Sequence, residues 1–318
     1  MGLDPLTTTA WVLAALAVIL AWPAPLVLSR AHWPRRSPAM AMILWQAVGL
    51  AGGLSMIGAM LTWGLAPLGS NILAAFGRLI DIVFFNAPIG GLRFWHAFAL
   101  SAAGLLGAHL LFTLLLTYVR IQRQRSRHRE LLLLLSSPSA ERPGTVVINH
   151  AAPVAYCLPG GARSVTVLSD GLLKLFKPEE LQAVLTHEQT HLLQRHHLLL
   201  WAFAAWKSAL PWLPTSRLAQ SAVNELIEML ADDAALCEVP EPTLVRSIAL
   251  VASGSAHSPS PAPSSDNPDS DGTTASRIQR LIHPEPPLAA PLRALILVGS
   301  LLLLAAPTAL LVIPALLS

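Results

Sequence analysis

Apolar residues fall along this chain in four long blocks, at about Thr8 to Leu28, Met40 to Leu65, Phe94 to Val119 and Leu295 to Leu316, the last interrupted by Pro307. Each block reaches the roughly 20 residues that cross a bilayer core. The stretch before the first, MGLDPLTTTA, carries no Lys or Arg. The first block therefore reads as a retained span and not as a cleaved leader.

Between the third and fourth blocks the pattern shortens. TVVIN (145–149), VAYCL (154–158) and SVTVL (164–168) are rich in β-branched residues and bounded by Pro, Gly and Asn. They read as short strands, with Pro159-Gly160-Gly161 as a turn. Helical spacing then takes over from Pro178, a residue suited to the first helical position. Glu179 and Glu180 follow it at the positive end of the helix dipole. The helix carries Leu181, Val184, Leu185 and Leu192 at helical spacing. Leu198 to Pro214 is apolar but short for a crossing and contains Lys207, so a buried or interfacial helix is expected. A further helix is expected over about Ser216 to Cys237. Ser253 to Ser276 is Ser, Pro, Asp and Gly with almost no apolar residues, and reads as a disordered linker. Between the second and third blocks, GRLIDIVFF suits the membrane interface.

Composition agrees with the blocks. Hydrophobic residues make up 53% and charged residues 12%, about half the charged share of a soluble domain. A net charge of +3 does not indicate direct nucleic-acid binding, and the basic residues sit beside the apolar blocks. Arg30, Arg35 and Arg36 separate the first two, Arg120, Arg123, Arg125, Arg127 and Arg129 follow the third, and Arg293 precedes the fourth. Placing all three groups in the cytoplasm lets the spans alternate without conflict, N-terminus outside and the central region inside. Cys157 and Cys237 form no CxxC pair and read as free thiols in a reducing compartment.

The chemistry centres on His187-Glu188-Gln189-Thr190-His191. Residues i and i+4 share a helical face, so the two imidazoles can meet one ion, a spacing suited to zinc. Glu188 sits beside that face, placed to take a proton from water and not to bind the metal. A catalytic zinc takes three protein ligands and keeps one position open. SAVNELIEMLADDAALCE offers Glu225, Glu228, Asp232 and Asp233. Glu228 and Asp232 share a face, so one can bind the ion while the other orients an imidazole; Glu225 is an alternative ligand. A solvated acidic stripe is the plain alternative, and the apolar neighbours argue against it. At helical pitch His196 and His197 point away from His191, and read as interfacial or polar-face residues. His150 and His257 carry no pattern, and Lys207 reads as a snorkelling side chain.

These residues resemble a known family. AYCLPGG, SVTVLSDGLL, KPEELQAVLTHEQTHLLQRHH and ELIEMLADDAA look like the bacterial BlaR/MecR-type membrane zinc metallopeptidases. They are more distantly similar to the Ste24/HtpX membrane proteases. SRIQRLIHP (276–284) also looks like a segment those families carry. The resemblance implies a mainly α fold: multi-pass membrane helices with a cytoplasmic α+β zincin-like domain, a small β-sheet plus the HExxH helix. The expected layout is three spans over 1–119, the metallopeptidase domain over 120–252, the linker over 253–276, and a short amphipathic segment with the last span over 277–318.

The resemblance further implies a gluzincin site binding one Zn2+ per chain through His187, His191 and Glu228, with Asp232 behind them and Glu188 catalytic. The strand near Ser164 to Leu168 would be the edge on which an extended substrate adds. The implied function is a membrane-bound zinc endopeptidase cutting a cytoplasmic or membrane-proximal protein, a transcriptional repressor in a signalling pathway being one candidate. The antibiotic sensors end in an extracellular penicillin-binding domain and this chain stops with its last span, so a β-lactam signal is not expected. The alternative is a non-catalytic membrane scaffold or receptor with a structural zinc site, which a fourth ligand would close.

Overall fold

The computed structural model describes residues 5–139, 143–159, 164–255 and 270–316. In chain order these form α1 (Pro5–Ala21), α2 (Pro23–Arg30), α3 (Pro38–Leu65), α4 (Ile72–Phe85), α5 (Phe94–Leu135), β1 (Ser136–Pro138), β2 (Thr145–Ile148), β3 (Ala155–Leu158), β4 (Val165–Ser169), α6 (Asp170–Leu175), α7 (Pro178–Leu193), α8 (His196–Ala209), α9 (Pro214–Ala235), α10 (Glu241–Ser255), α11 (Ser270–Ile282) and α12 (Ala290–Leu316).

Among the described residues four segments are long and apolar enough to cross a membrane: Pro5–Arg30, Pro38–Leu68, Phe94–Leu132 and Ala290–Val312. The first is broken at Trp22, because Pro23 supplies no N–H to continue α1. The Thr215 hydroxyl reaches into this break and contacts the carbonyls of Leu20, at 2.8 Å, and Ala21. In the last span α12 runs straight through Pro307, as neighbouring helices permit in apolar surroundings. The third span does not end at Val119. No Gly or Pro interrupts residues 108–137, so the apolar block and its arginine run form one helix of 42 residues, about 63 Å long. The expected boundary at 119/120 therefore falls inside α5. Helix α4 presents Leu73, Phe76, Val83, Phe84 and Phe85 outward, in keeping with an interfacial segment.

The three expected strands form, and the short strand β1 joins them. The sheet order is β1-β2-β4-β3, with β2 and β4 parallel and the outer pairs antiparallel. The expected edge strand is thereby corrected. The strand near Ser164 to Leu168 is central, because its parallel pairing with β2 fills one side and β3 fills the other. The free edge beside α7 is β3. Gly160 and Gly161 of the expected turn lie outside the described residues.

Helix α7 lays Leu181, Val184 and Leu185 on Leu168, Leu172 and Phe176. Helices α8 and α9 do not pack on the sheet. They share a core with the first two spans, in which Phe203, Ala219, Val223, Leu226 and Ile227 meet Leu28, Ala41, Met42 and Trp45. The apolar segment 198–214 is thus the buried helix α8 and the tip that joins it to α9. Of the expected linker, residues 256–269 lie outside the described residues. Its two ends are helical instead, in α10 and α11, and α11 is anchored where Ser276 and Arg277 meet acids of α9.

Candidate metal centre

Helix α7 starts with Pro178, and the Glu180 carboxylate accepts the Lys177 backbone N–H at 2.9 Å. Glu180 also meets Arg246 of α10 at 2.9 Å, which fixes the rotation of α7 against its neighbours. That rotation points His187 and His191 at α9. Their Nε2 atoms lie 3.3 Å apart. Glu228 closes the triangle, 3.3 Å from His187 Nε2 and 3.6 Å from His191 Nε2. Tetrahedral ligands held 2.0–2.1 Å from zinc stand about 3.3 Å from one another. Two imidazole nitrogens and a carboxylate at these separations therefore fit a zinc ion.

Each histidine is held from behind by a different group. His187 Nδ1 lies 3.1 Å from Asp232 Oδ1. His191 Nδ1 lies 3.0 Å from His196 Nδ1, and His196 Nε2 lies 2.9 Å from Gln194 Oε1. Metal binding through Nε2 leaves His191 Nδ1–H to donate to His196, whose own Nε2–H then donates to Gln194. Helical pitch had placed His196 on another face. The chain leaves the helix at Arg195, whose φ of 52° is left-handed, and the turn returns His196 to His191 with only 2% of its surface exposed.

The acids of α9 are each met by α11. Arg277 grips Asp232 through two bonds, at 2.8 and 2.6 Å, and reaches Glu228 at 3.0 Å. Arg280 holds Asp233 at 2.7 Å. Ser276 donates to Glu225 at 2.9 Å, and Arg35 stands 3.8 Å from the same carboxylate. Glu225 is therefore engaged outside the histidine pair, and Glu228 is the acid that joins it. The sequence offered one hint of Arg277, the segment SRIQRLIHP, without a role for it. His150 and Lys207 are not brought to the cluster, and His257 lies outside the described residues. Cys157 and Cys237 are free thiols.

Electrostatics separates the groups. Burial opposes a charge on His187, but Asp232 and Glu228 outweigh it and raise the imidazole to about 9. Burial lowers His191 to about 4. Burial also penalises a charge on Glu228, yet His187 and Arg277 hold this carboxyl well below its ordinary range. Glu188 is pushed up to about 7 by burial, against the opposing pull of His187, and accepts the Cys157 backbone N–H. That bond agrees with the strand register. Ser169 N–H donates to Val154 O, so alternation turns the backbone groups of Ala155 and Cys157 away from β4. They face the free edge, where Glu188 stands.

Residues 121–236 match the model of peptidase family M48. The matched segment holds the sheet, the HExxH helix and Glu228. No curated protein and no solved structure matches the chain. M48 peptidases are metal-dependent, and the match together with the apolar helices supports a membrane metallopeptidase.

Proposed function

We propose that this protein is a membrane-embedded zinc endopeptidase of gluzincin type that cuts a cytoplasmic or membrane-proximal polypeptide. The observation that carries the reading is the convergence of His187, His191 and Glu228 on one point, with Glu188 beside it at the free edge of β3. Among the described residues the cluster offers three donors, the number of a catalytic site and not of a closed structural one. A bound zinc would polarise the scissile carbonyl and acidify water.

The chain's own residues supply the rest. The outward N–H and carbonyl of Ala155 and the Cys157 carbonyl can pair with an extended substrate as an added strand, the Cys157 N–H being held by Glu188. Glu188 takes the proton from the attacking water. Burial raises this carboxyl toward neutrality, which suits a group that must accept a proton and then pass it to the leaving amine. Asp232, His196 and Arg277 keep the ligands in place.

Cytoplasmic placement follows from the basic residues. Arg280 Nε donates to the carbonyl of Arg35, in the first loop, at 2.8 Å, and Arg36 Nε donates to Pro286 O at 2.9 Å. The loop and the metal domain therefore share a side, and the positive-inside rule makes it the cytoplasm. The resemblance to antibiotic-sensor peptidases makes a transcriptional repressor one candidate substrate.

Replacing Glu188 by Gln tests the reading. The variant should bind zinc stoichiometrically and lose cleavage of an unstructured peptide library. Cleavage at the wild-type rate would remove Glu188 from the mechanism.

A further inference from the structure

The α8–α9 hairpin reaches far into the bundle of spans. Its tip packs Ala209, Leu210 and Leu213 against Ala21, Met56, Leu106 and Leu110. Those partners lie near the middle of the spans Pro5–Arg30 and Pro38–Leu68 and of the apolar part of the third, residues 94–119, that precedes its arginine run. Polar bonds fix the same depth. Thr215 caps the Leu20 carbonyl, His109 Nε2 lies 3.1 Å from Ala209 O, and Trp201 Nε1–H donates to Leu114 O at 3.1 Å. The Trp206 ring lies so close over Gly49 that a Cβ there would stand 2.6 Å from it.

Helix lengths then set the height of the metal centre. Helix α8 has 14 residues, about 21 Å of rise, and α9 climbs about as far from Pro214 to Glu228. Half of a hydrocarbon core is about 15 Å. From mid-membrane, α9 thus carries Glu228 and α8 carries His196 to no more than about 6 Å beyond the hydrocarbon boundary. The face of the hairpin turned away from the spans is mixed, with apolar Ala202, Pro211 and Trp212 beside polar positions. Lys207, Ser208, Arg217 and Ser221 are exposed on it, and Lys207 and Arg217 lie within a turn of the tip. Ionisable groups at that depth face water-filled cavities or partners, not lipid.

We propose that α8–α9 is a re-entrant hairpin whose outward face lines a water-filled cleft, and that this cleft brings to the metal centre a peptide segment lying beside the membrane anchor of another polypeptide. The cleft rests on the depth and exposure of Lys207 and Arg217, whereas its use by a substrate rests on the peptidase reading. The segment climbs between Lys207 and Arg217 of this face and the bilayer, and meets the β3 edge at the membrane surface.

The cleft is tested without activity. Protein carrying Cys157→Ser and Cys237→Ser receives Lys207→Cys, Arg217→Cys or, as a lipid-facing reference, Leu301→Cys. Each is reconstituted in liposomes with a charged, membrane-impermeant maleimide on both sides. Labelling at 207 and 217 but not at 301 is expected. Protection of 207 and 217 from the charged reagent, with labelling by a membrane-permeant one, would overturn the cleft.

Substrate use is tested with the wild-type zinc protein and a degenerate peptide segment fused to a single-span anchor. The segment lies either directly beside the anchor or beyond a flexible spacer of about 30 residues, roughly 30 Å of root-mean-square reach. The adjacent form should be cut at least tenfold faster. Equal rates would overturn this route while leaving the peptidase reading intact, and cleavage of neither form would overturn the peptidase reading itself.

Discussion

The imidazoles of His191 and His196 face one another Nδ1 to Nδ1 at 3.0 Å. The metal-facing histidines therefore have unlike supports: a carboxylate behind His187 and a neutral ring behind His191. A carboxylate strengthens the basicity of the ligand it holds, and a neutral ring mainly orients it. The two positions should respond differently to the loss of their supports.

His196→Phe keeps the ring volume and removes the acceptor. Zinc affinity should fall about 10- to 100-fold, the usual effect of losing an outer partner of a metal ligand. A chelator-competition titration reads this, with circular dichroism to show that the helices persist. Unchanged affinity would mean that packing alone orients His191.

Much of this centre is legible in the sequence, and what is hidden has physical causes. His187 and His191 follow from the i, i+4 geometry of one helix. The face that Glu228 shares with Asp232 follows from the same rule on the next helix. His196 is hidden because the left-handed Arg195 breaks the pitch that would place it. Arg277 is hidden because it stands 45 residues beyond Asp232 in sequence, and no local pattern reports such a pairing. The apolar blocks reveal the spans but not the shared core, since the apolar residues of α8 serve equally for a soluble interior and a membrane one. The order of the strands depends on which strand β2 meets in space, so the short strands alone do not reveal that β3 and not β4 lies at the edge.

Arg277→Met leaves two carboxylates, one of them almost fully buried, with His187 as their remaining cation. Removing one partner of a buried pair costs about 3–5 kcal/mol, and the metal-free protein should lose stability on that scale in denaturant unfolding. Adding Asp232→Asn to this variant should recover part of the loss, because it removes the stranded charge. If the two losses simply add, the Arg277–Asp232 contact does not couple the helices.

Metal binding should release a proton. In the metal-free protein His187 is raised to about 9, so at neutral pH it carries a proton on the nitrogen that meets the metal. His191 is lowered to about 4 and Glu228 is already ionised, so neither has a proton to give. Calorimetry in buffers of different ionisation enthalpy should count about one proton at pH 7. Affinity should rise with pH and level off above about 9. In the same metal-free state the charged His187 contributes stability that is fully present below its ordinary value near 6.5 and is lost as the pH rises through about 9.

Two glycines of α3 separate the docking of the hairpin from general effects on the span. A Cβ on Gly49 would stand 2.6 Å from the Trp206 ring, whereas one on Gly53 meets nothing within 4 Å. Trp206 is held in turn by Phe203 and the tip core, so it cannot swing aside cheaply. Gly49→Val should therefore cost about 1–3 kcal/mol of overpacking, read as a lower midpoint of thermal unfolding in detergent. Displacement of α8 and α9 should also weaken zinc affinity, because the two helices hold His196 and Glu228. Gly53→Val should leave both quantities unchanged. Equal behaviour of the two variants would show that the hairpin is not seated on the second span through Trp206.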